Sequence, residues 1–191
     1  MALRFTLTRI VPSAALFVSL LVAAVLVDYV FHVLHLARVG RYLGVVGSLL
    51  ILASFVYSLR KRKLIRSGSP KTLLRNHEVL GWTGSLLLLV HGGIHFNAFL
   101  PWLAVLAMLV VVASGLTGRY LLEEARERLK ERAAEMKEAG VAPGDAEKEL
   151  LGQSLVVDSM KEWRKVHMPL TMVFAALALL HVVVTTLFQA W

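Results

Sequence analysis

Long apolar runs with almost no charge are the strongest constraint on how this chain folds. Residues 11–36 are apolar apart from two serines, Asp28 and two histidines. A run of about 18 or more residues with few charges can cross the roughly 30 Å hydrocarbon core of a bilayer as a helix. The run is also longer than the apolar part of a signal peptide, so we interpret it as an uncleaved span.

Four further apolar runs follow, and none shows the alternation that is typical of a β-barrel strand. The chain is therefore predicted to be an all-α membrane protein, a single domain over residues 1–191 with five transmembrane helices in a bundle. The predicted spans are about residues 10–36, 42–59, 77–96, 101–118 and 167–189.

The charged residues predict the orientation of these helices. Residues 60–75 contain seven Lys and Arg and no acid, and residues 119–165 contain ten basic and eleven acidic residues. The positive-inside rule places both segments in the cytoplasm, with the N-terminus inside and the C-terminus outside. We expect a multi-pass protein of the inner (cytoplasmic) membrane, surrounded by lipid. Because the basic cluster lies between apolar runs, the net charge of +8 does not predict a nucleic-acid partner.

The segment between the fourth and fifth spans, residues 119–165, is predicted to be an amphipathic cytoplasmic insert. Apolar residues recur at helical spacing among its charges up to Gly140, which is expected to end a surface helix. A second, short helical piece is expected to begin near Pro143, with Asp145 as its N-cap, before the fifth span.

Histidine is the main candidate metal ligand, because the chain has no cysteine and seven histidines. The absence of cysteine excludes thiolate metal sites, cysteine-ligated iron–sulfur clusters and covalently attached haem. Histidines inside membrane helices are costly and usually functional.

Four histidines repeat one spacing on two predicted spans. His77 and His91 are fourteen residues apart, and so are His167 and His181. On a helix this separation is four turns, about 21 Å of rise, and returns to nearly the same face. The predicted topology makes the two helices parallel, so the histidines match in depth.

This pattern predicts two non-covalent b-type haems, each held by one histidine from each helix. His77 with His167 would ligate an inner haem and His91 with His181 an outer one. His95 lies one turn beyond His91 and is an alternative outer ligand. The other readings are polar packing or interfacial residues for single histidines, and histidine-only zinc sites.

Several arginines lie at the depths where haem propionates would emerge. Arg75 and Arg164 are candidate partners for the inner haem, and Arg41, with Arg38, for the outer one. The alternative reading is that these arginines are ordinary interfacial anchors. Glycines between the ligands, such as Gly81 and Gly84, would let a flat porphyrin approach the backbone or would serve helix packing.

Asp28, His32 and His35 form a second polar feature near the outer end of the first span. Their spacing of i, i+4 and i+7 places them on one face of a helix. Three readings stay open: proton exchange with a bound quinone, an additional haem or metal site completed by His95, and a polar cluster at the headgroups.

The two histidine pairs resemble those of di-haem b-type membrane cytochromes. The pattern is similar to the ferric-reductase-like transmembrane domain, also found in NADPH oxidases, and to cytochrome b of quinol–cytochrome c reductases. The likeness covers about residues 40–191 and implies that His77, His91, His167 and His181 are axial haem ligands. Flavin- and nicotinamide-binding domains, a G-x-G-x-x-G motif and the Pro-Glu-Trp-Tyr quinol motif do not occur in the sequence.

The resemblance implies an electron-transfer subunit of an oxidoreductase rather than a complete enzyme. We expect a respiratory-type redox complex linked to the quinone pool, with partner subunits at the cytoplasmic or outer face. One alternative is a reductase that delivers electrons to an acceptor at the outer face. An alternative of another class is a non-redox membrane scaffold or metal transporter, although broken helices and inverted repeats are not evident in the sequence.

Overall fold

The computed structural model describes residues 11–93 and 99–188, and every element in these ranges is a helix. The predicted all-α fold is therefore confirmed. The helices are α1 (Val11–Val33), α2 (Ala37–Ser54), α3 (Val56–Lys61), α4 (Pro70–Gly92), α5 (Phe99–Glu138) and α6 (Pro143–Phe188).

Four segments in the described ranges are long and apolar enough to cross a membrane: Val11–Val33, Arg38–Lys61, Phe99–Leu116 and Lys165–Phe188. Helix α4 is less apolar, because it begins with charged residues and carries Gly, Thr and Ser near its centre. Residues 94–98, at the end of the third predicted span, lie outside the described ranges. The structure thus supports a multi-pass membrane protein, and the fifth span stays a prediction.

Large apolar side chains cover the outside of these helices. On α1, Val25 and Leu26 are 61% and 58% exposed, and on α6 Leu179 and Leu187 are 65% and 71% exposed. Soluble monomers rarely expose continuous apolar surface on this scale, whereas lipid-facing helices do. The exposed surface therefore agrees with burial in a bilayer.

The bundle is built from two closely packed helix pairs. Helix α2 packs along α4, and α5 packs along α6. Helix α1 contacts α2, α4 and α5, and α4 also touches α5, so these contacts join the two pairs. Helices α4 and α6 are held apart: among the described residues, no Cα atom of one lies within 8 Å of a Cα atom of the other.

Two glycines allow the close approach of α2 and α4. A Cβ atom built on Gly47 would lie 3.0 Å from the carbonyl oxygen of Gly84, and one built on Gly84 would lie 3.0 Å from the carbonyl oxygen of Gly47. Because both neighbours are backbone atoms, neither can move aside without shifting a helix. Gly84 therefore serves helix packing, the second of the two roles that its sequence position predicted.

Substitution of Gly84 by alanine is expected to destabilise the bundle by about 1–3 kcal/mol, the usual cost of overpacking a tight contact. The measurement is thermal unfolding in detergent, followed by helical circular dichroism. Gly81→Ala is the matched control, since a Cβ atom at Gly81 meets nothing within 4 Å. Equal melting temperatures for the two variants would contradict the close α2–α4 contact.

The segment 119–165 is helical, but it does not form separate short helices. Helix α5 continues without interruption from Phe99 to Glu138, and α6 runs from Pro143 to Phe188. The chain reverses at Gly140, whose φ of +68° suits a residue without a side chain. The expectation of a short helix capped by Asp145 is wrong. The helix begins at Pro143 with Asp145 in its first turn, and it continues through Gly152 into the fifth predicted span.

Helix α1 ends earlier than the predicted span. The backbone nitrogen of Leu36 donates to the Phe31 carbonyl at 2.8 Å, and that of His35 donates to the His32 carbonyl at 3.1 Å. His35 has a φ of +56°. This is a Schellman arrangement, in which a left-handed residue caps the final carbonyl groups of a helix. The cap ends α1 at Val33 and turns the chain into α2.

Candidate functional site

The outer predicted pair faces across the gap between α4 and α6. The ring centroids of His91 and His181 are 6.4 Å apart, and the ring planes are inclined at 56°. Two imidazoles on opposite sides of one metal ion, each with a nitrogen–metal bond of about 2.0–2.1 Å, have centroids about 6 Å apart. The observed spacing therefore suits a single metal ion between the two rings.

For the inner predicted pair, His77 and His167, the structure shows an electrostatic interaction between the two imidazoles, as it does for His91 and His181. Both inner imidazoles are half-buried rather than lipid-exposed. The folded chain thus places the rings of His91 and His181 close together. The pairing of His77 with His167 at one centre stays a prediction.

On α4, the Nδ1 atoms of both histidines are held by the backbone of α2. His77 Nδ1 lies 3.1 Å from the Ser54 carbonyl oxygen, and His91 Nδ1 lies 3.1 Å from the Gly40 carbonyl oxygen. A carbonyl oxygen only accepts hydrogen bonds, so each Nδ1 carries the proton. In a neutral imidazole this leaves the lone pair on Nε2, the atom available to a metal.

On α6, the Nδ1 atoms of both histidines lie beside hydroxyl groups rather than backbone carbonyl groups. The Ser114 hydroxyl donates to the Val111 carbonyl at 2.8 Å and lies 2.6 Å from His167 Nδ1. Because its one proton is directed at Val111, the hydroxyl accepts from His167. Thr185 likewise donates to the carbonyl of His181 at 2.8 Å, and a longer contact of 3.5 Å joins its oxygen to His181 Nδ1.

All four histidines therefore present Nε2 and use Nδ1 for a hydrogen bond to the protein. Metal-bound histidines show this arrangement in most proteins, because the second hydrogen bond fixes the tautomer and the ring orientation. The segment that begins at Ser114 is suggestive of the resembled cytochromes, but the sequence does not indicate that Ser114 contacts His167. Gly40 and Ser54 did carry one that our sequence reasoning missed, since they are separated by the same fourteen residues as His77 and His91.

The ring of His91 also lies directly against α2. A Cβ atom built on Gly44 would be 2.7 Å from its Cδ2 and Nε2 atoms and 2.8 Å from Cε1. Because these three distances are nearly equal, the imidazole ring lies with its face, rather than its edge, over Gly44. Near the inner pair, the ring of Tyr57 packs on that of His77, with centroids 5.5 Å apart.

Ser114→Ala is expected to leave His167 in place but without its hydrogen-bond acceptor. Loss of such a partner typically lowers metal affinity about 10–100-fold. The prediction is checked by titrating apoprotein with hemin and by measuring the midpoint potential of the inner haem that the sequence predicts. Ser114→Thr keeps the hydroxyl and should behave as the parent chain does. Equal affinity and potential in the alanine variant would show that this hydrogen bond has no role at the centre.

The other predicted site residues are more dispersed. Arg75 and Arg41 have exposed side chains near the inner and outer ends of the histidine pairs, respectively. The side chain of Arg164 and the whole of His95 lie outside the described part of the chain. The choice between His91 and His95 therefore rests on the observed facing of His91 and His181.

Asp28 and His32 lie close together in the structure, but His35 does not share their helix face. His32 Nδ1 lies 3.3 Å from the Asp28 carbonyl oxygen and 3.9 Å from its carboxylate Oδ2. His35 follows the end of α1 and has a left-handed backbone. The predicted face of three residues is thus wrong at His35, because i+7 spacing places side chains on one face only while the helix continues.

Comparison with protein-family models, with curated proteins and with solved structures found no match to this chain. The class of this protein is therefore read from its structure. Over the described residues it is an all-helical protein with four candidate membrane spans, in which His91 and His181 face each other from helices whose Cα atoms stay more than 8 Å apart.

Proposed function

We propose that this chain is a di-haem membrane cytochrome of the b type, which carries electrons across the bilayer. His77 with His167 would bind the inner haem, and His91 with His181 the outer one. A single observation carries the proposal: His91 and His181 face each other across the space between two helices, and the Nδ1 atoms of all four histidines contact hydrogen-bonding groups of the protein.

The number of protein ligands favours haem over zinc. Within residues 11–93 and 99–188, no group of three or more His, Cys, Asp or Glu side chains is placed to hold a metal ion. A zinc site needs three or four protein ligands, so a pair of histidines is too few. A haem iron takes its four equatorial ligands from the porphyrin and needs only two axial ligands from the protein.

The separation between α4 and α6 also favours haem. Two helices bearing plain polar-packing histidines would be expected to approach each other closely, as α2 and α4 do. Instead their Cα atoms stay more than 8 Å apart along the described residues. A flat macrocycle held by histidines of both α4 and α6 would need such a separation.

The proposed arrangement has two redox levels. Because fourteen residues of helix rise about 21 Å, the haems held by the two histidine pairs would be separated by a similar distance along the helix direction. Each haem supplies a one-electron Fe(III)/Fe(II) couple. With five spans and a cytoplasmic N-terminus, the inner pair lies toward the cytoplasm and the outer pair toward the opposite face. Arg75 and Arg164 would face the inner propionates, and Arg41 the outer ones.

We place the chain in a respiratory-type redox complex of the inner membrane, linked to the quinone pool. Helices α5 and α6 extend well beyond their apolar portions into the charged segment 119–165. This helical hairpin is large enough to bind a redox partner subunit on the cytoplasmic side. The chain is then an electron-transfer subunit, with donor or acceptor chemistry supplied by its partners.

The test is the spectrum and haem content of the purified chain. We expect a red protein with about two non-covalent haems per chain and a Soret band that shifts on reduction with dithionite. Extraction with acidic acetone should release the haem, since the chain has no cysteine for covalent attachment. A colourless protein with intact helical circular dichroism, purified from cells supplied with haem precursor, would refute the proposal.

A further inference from the structure

A strongly basic loop joins α3 to α4, directly after the candidate span Arg38–Lys61. Residues 60–75 contain seven Lys and Arg and no Asp or Glu. Because the span ends at Lys61, the loop begins where a helix leaves the hydrocarbon core of the bilayer. The basic side chains therefore lie at the level of the lipid headgroups.

Backbone hydrogen bonds fix the shape of the loop at its start. The backbone nitrogen of Leu64 donates to the Leu59 carbonyl at 3.0 Å, and that of Lys63 donates to the Arg60 carbonyl at 3.0 Å. Lys63 has a φ of +61°. This is a second Schellman arrangement, and it ends α3 with a lysine at the left-handed position that glycine usually occupies.

Two further contacts hold the end of the loop. Arg60 Nε donates to the Gly68 carbonyl at 3.3 Å, so the loop returns to α3. Gly68 has a φ of +87° and lies against Leu73 of α4, where an added Cβ atom would be 3.0 Å from Leu73 Cδ1. Between these contacts, residues 62–67 are exposed except for Ile65, which is half-buried.

Leu64 indicates what kind of partner the loop fits. The residue at its position in a Schellman motif usually packs back on the last turn of the helix. Leu64 is instead 69% exposed, next to Lys63 and two residues before Arg66. A phospholipid surface offers phosphates for the cations and an acyl boundary for the leucine at neighbouring depths. A nucleic acid offers phosphates without an apolar layer.

We propose that loop 62–67 binds anionic phospholipid. The side chains of Arg62, Lys63 and Arg66 bind headgroup phosphates, and Leu64 enters the boundary between the headgroups and the acyl chains. The loop thereby gives the chain a preference for anionic lipid at one face of the membrane. This inference goes beyond the proposed function and does not depend on haem binding.

The first experiment measures which lipids stay bound to the full chain. The chain is released from nanodiscs of equal parts phosphatidylglycerol and phosphatidylcholine, and native mass spectrometry gives the ratio of the two lipids retained. Each Lys or Arg near an anionic surface strengthens attraction about fivefold. The triple variant Arg62→Gln, Lys63→Gln, Arg66→Gln should therefore lower the preference for phosphatidylglycerol about tenfold or more.

The matched control removes three charges from exposed positions of α5, with Lys130→Gln, Arg132→Gln and Lys137→Gln. These residues lie about 21 Å or more along the helix beyond the span Phe99–Leu116. The control should keep the lipid preference of the parent chain. Helical circular dichroism of both triple variants checks that they fold.

A second experiment tests the leucine without changing any charge, and it decides the matter even if the triple loop variant fails to fold. Because the chain has no cysteine, Leu64→Cys provides a unique position for a thiol-reactive fluorescent probe. We expect nitroxide groups on the upper acyl chain to quench this probe in vesicles that contain phosphatidylglycerol. The same probe at Lys130→Cys should not be quenched.

Four outcomes would overturn the proposal. The parent chain could retain both lipids equally, or both triple variants could lose the preference equally, so that total charge rather than the loop would set it. The probe at position 64 could escape quenching, which would place the leucine in water. Finally, polyglutamate could displace phosphatidylglycerol from the loop, which would assign the loop to an acidic protein partner.

Discussion

His167→Ala is expected to bind about one haem per chain instead of two, with about half of the parent Soret absorbance. The reason is that a b-type haem is held only by its two axial bonds and by packing, so removal of one ligand leaves a five-coordinate, weakly held group. The outer haem should remain, because His91 and His181 lie about four helical turns away. Haem content by pyridine haemochrome and redox titration provides the measurement.

His181→Ala should give the complementary result, with the inner centre retained and the outer one lost. The controls are His35→Ala, which changes the exposed cap of α1, and His95→Ala, which changes the alternative outer ligand. Both are expected to keep two haems. If His95→Ala loses a haem while His91→Ala keeps both, the outer assignment is wrong. If all four ligand variants keep two haems, the paired histidines are not axial ligands.

Gly44→Ala is expected to remove or greatly weaken the outer haem while leaving the inner one intact. The added Cβ atom would lie 2.7 Å from Nε2 of His91, so the ring must tilt away from α2. That movement is expected to break the hydrogen bond from His91 Nδ1 to the Gly40 carbonyl and to change the position of Nε2. A misplaced ligand of this kind typically lowers metal affinity about 10–100-fold.

The matched control is Gly40→Ala, one helical turn earlier on α2. A Cβ atom at Gly40 meets nothing within 4 Å, and the carbonyl that accepts from His91 is retained. Separate hemin titrations of the two centres, distinguished by their midpoint potentials, measure the effect. An unchanged outer centre in Gly44→Ala would mean that the ring does not rest on α2 when haem is bound.

The helices were predictable because long apolar runs and helix-ending residues act locally. The four candidate spans fall in four of the five predicted segments, and Gly140 ends α5 as its backbone freedom suggests. The end of α1 was not predictable from hydropathy. The residues after Val33 are as apolar as those before, and only the left-handed backbone of His35 reveals where the helix stops.

The facing of His91 and His181 was also predictable, since equal spacing on parallel helices gives equal depth. The hydrogen-bond partners of the histidine Nδ1 atoms were not predictable. Two acceptors are main-chain carbonyl groups of α2, which any residue type provides, and a third is a serine on a helix 53 positions earlier in the chain. Sequence patterns report side-chain types and periods, whereas these contacts depend on which helices are neighbours.

By itself, the sequence determined the helical class, the candidate spans and the two matched histidine pairs, because each follows from periodicity along one segment. The tertiary structure alone decided that α2 buttresses α4, that α4 and α6 stand apart with imidazoles facing across the gap, and that Asp28 lies in a cavity beside His91. These features arise from contacts between distant segments. How closely two helices approach depends on single residues at their contact, such as Gly47 against Gly84.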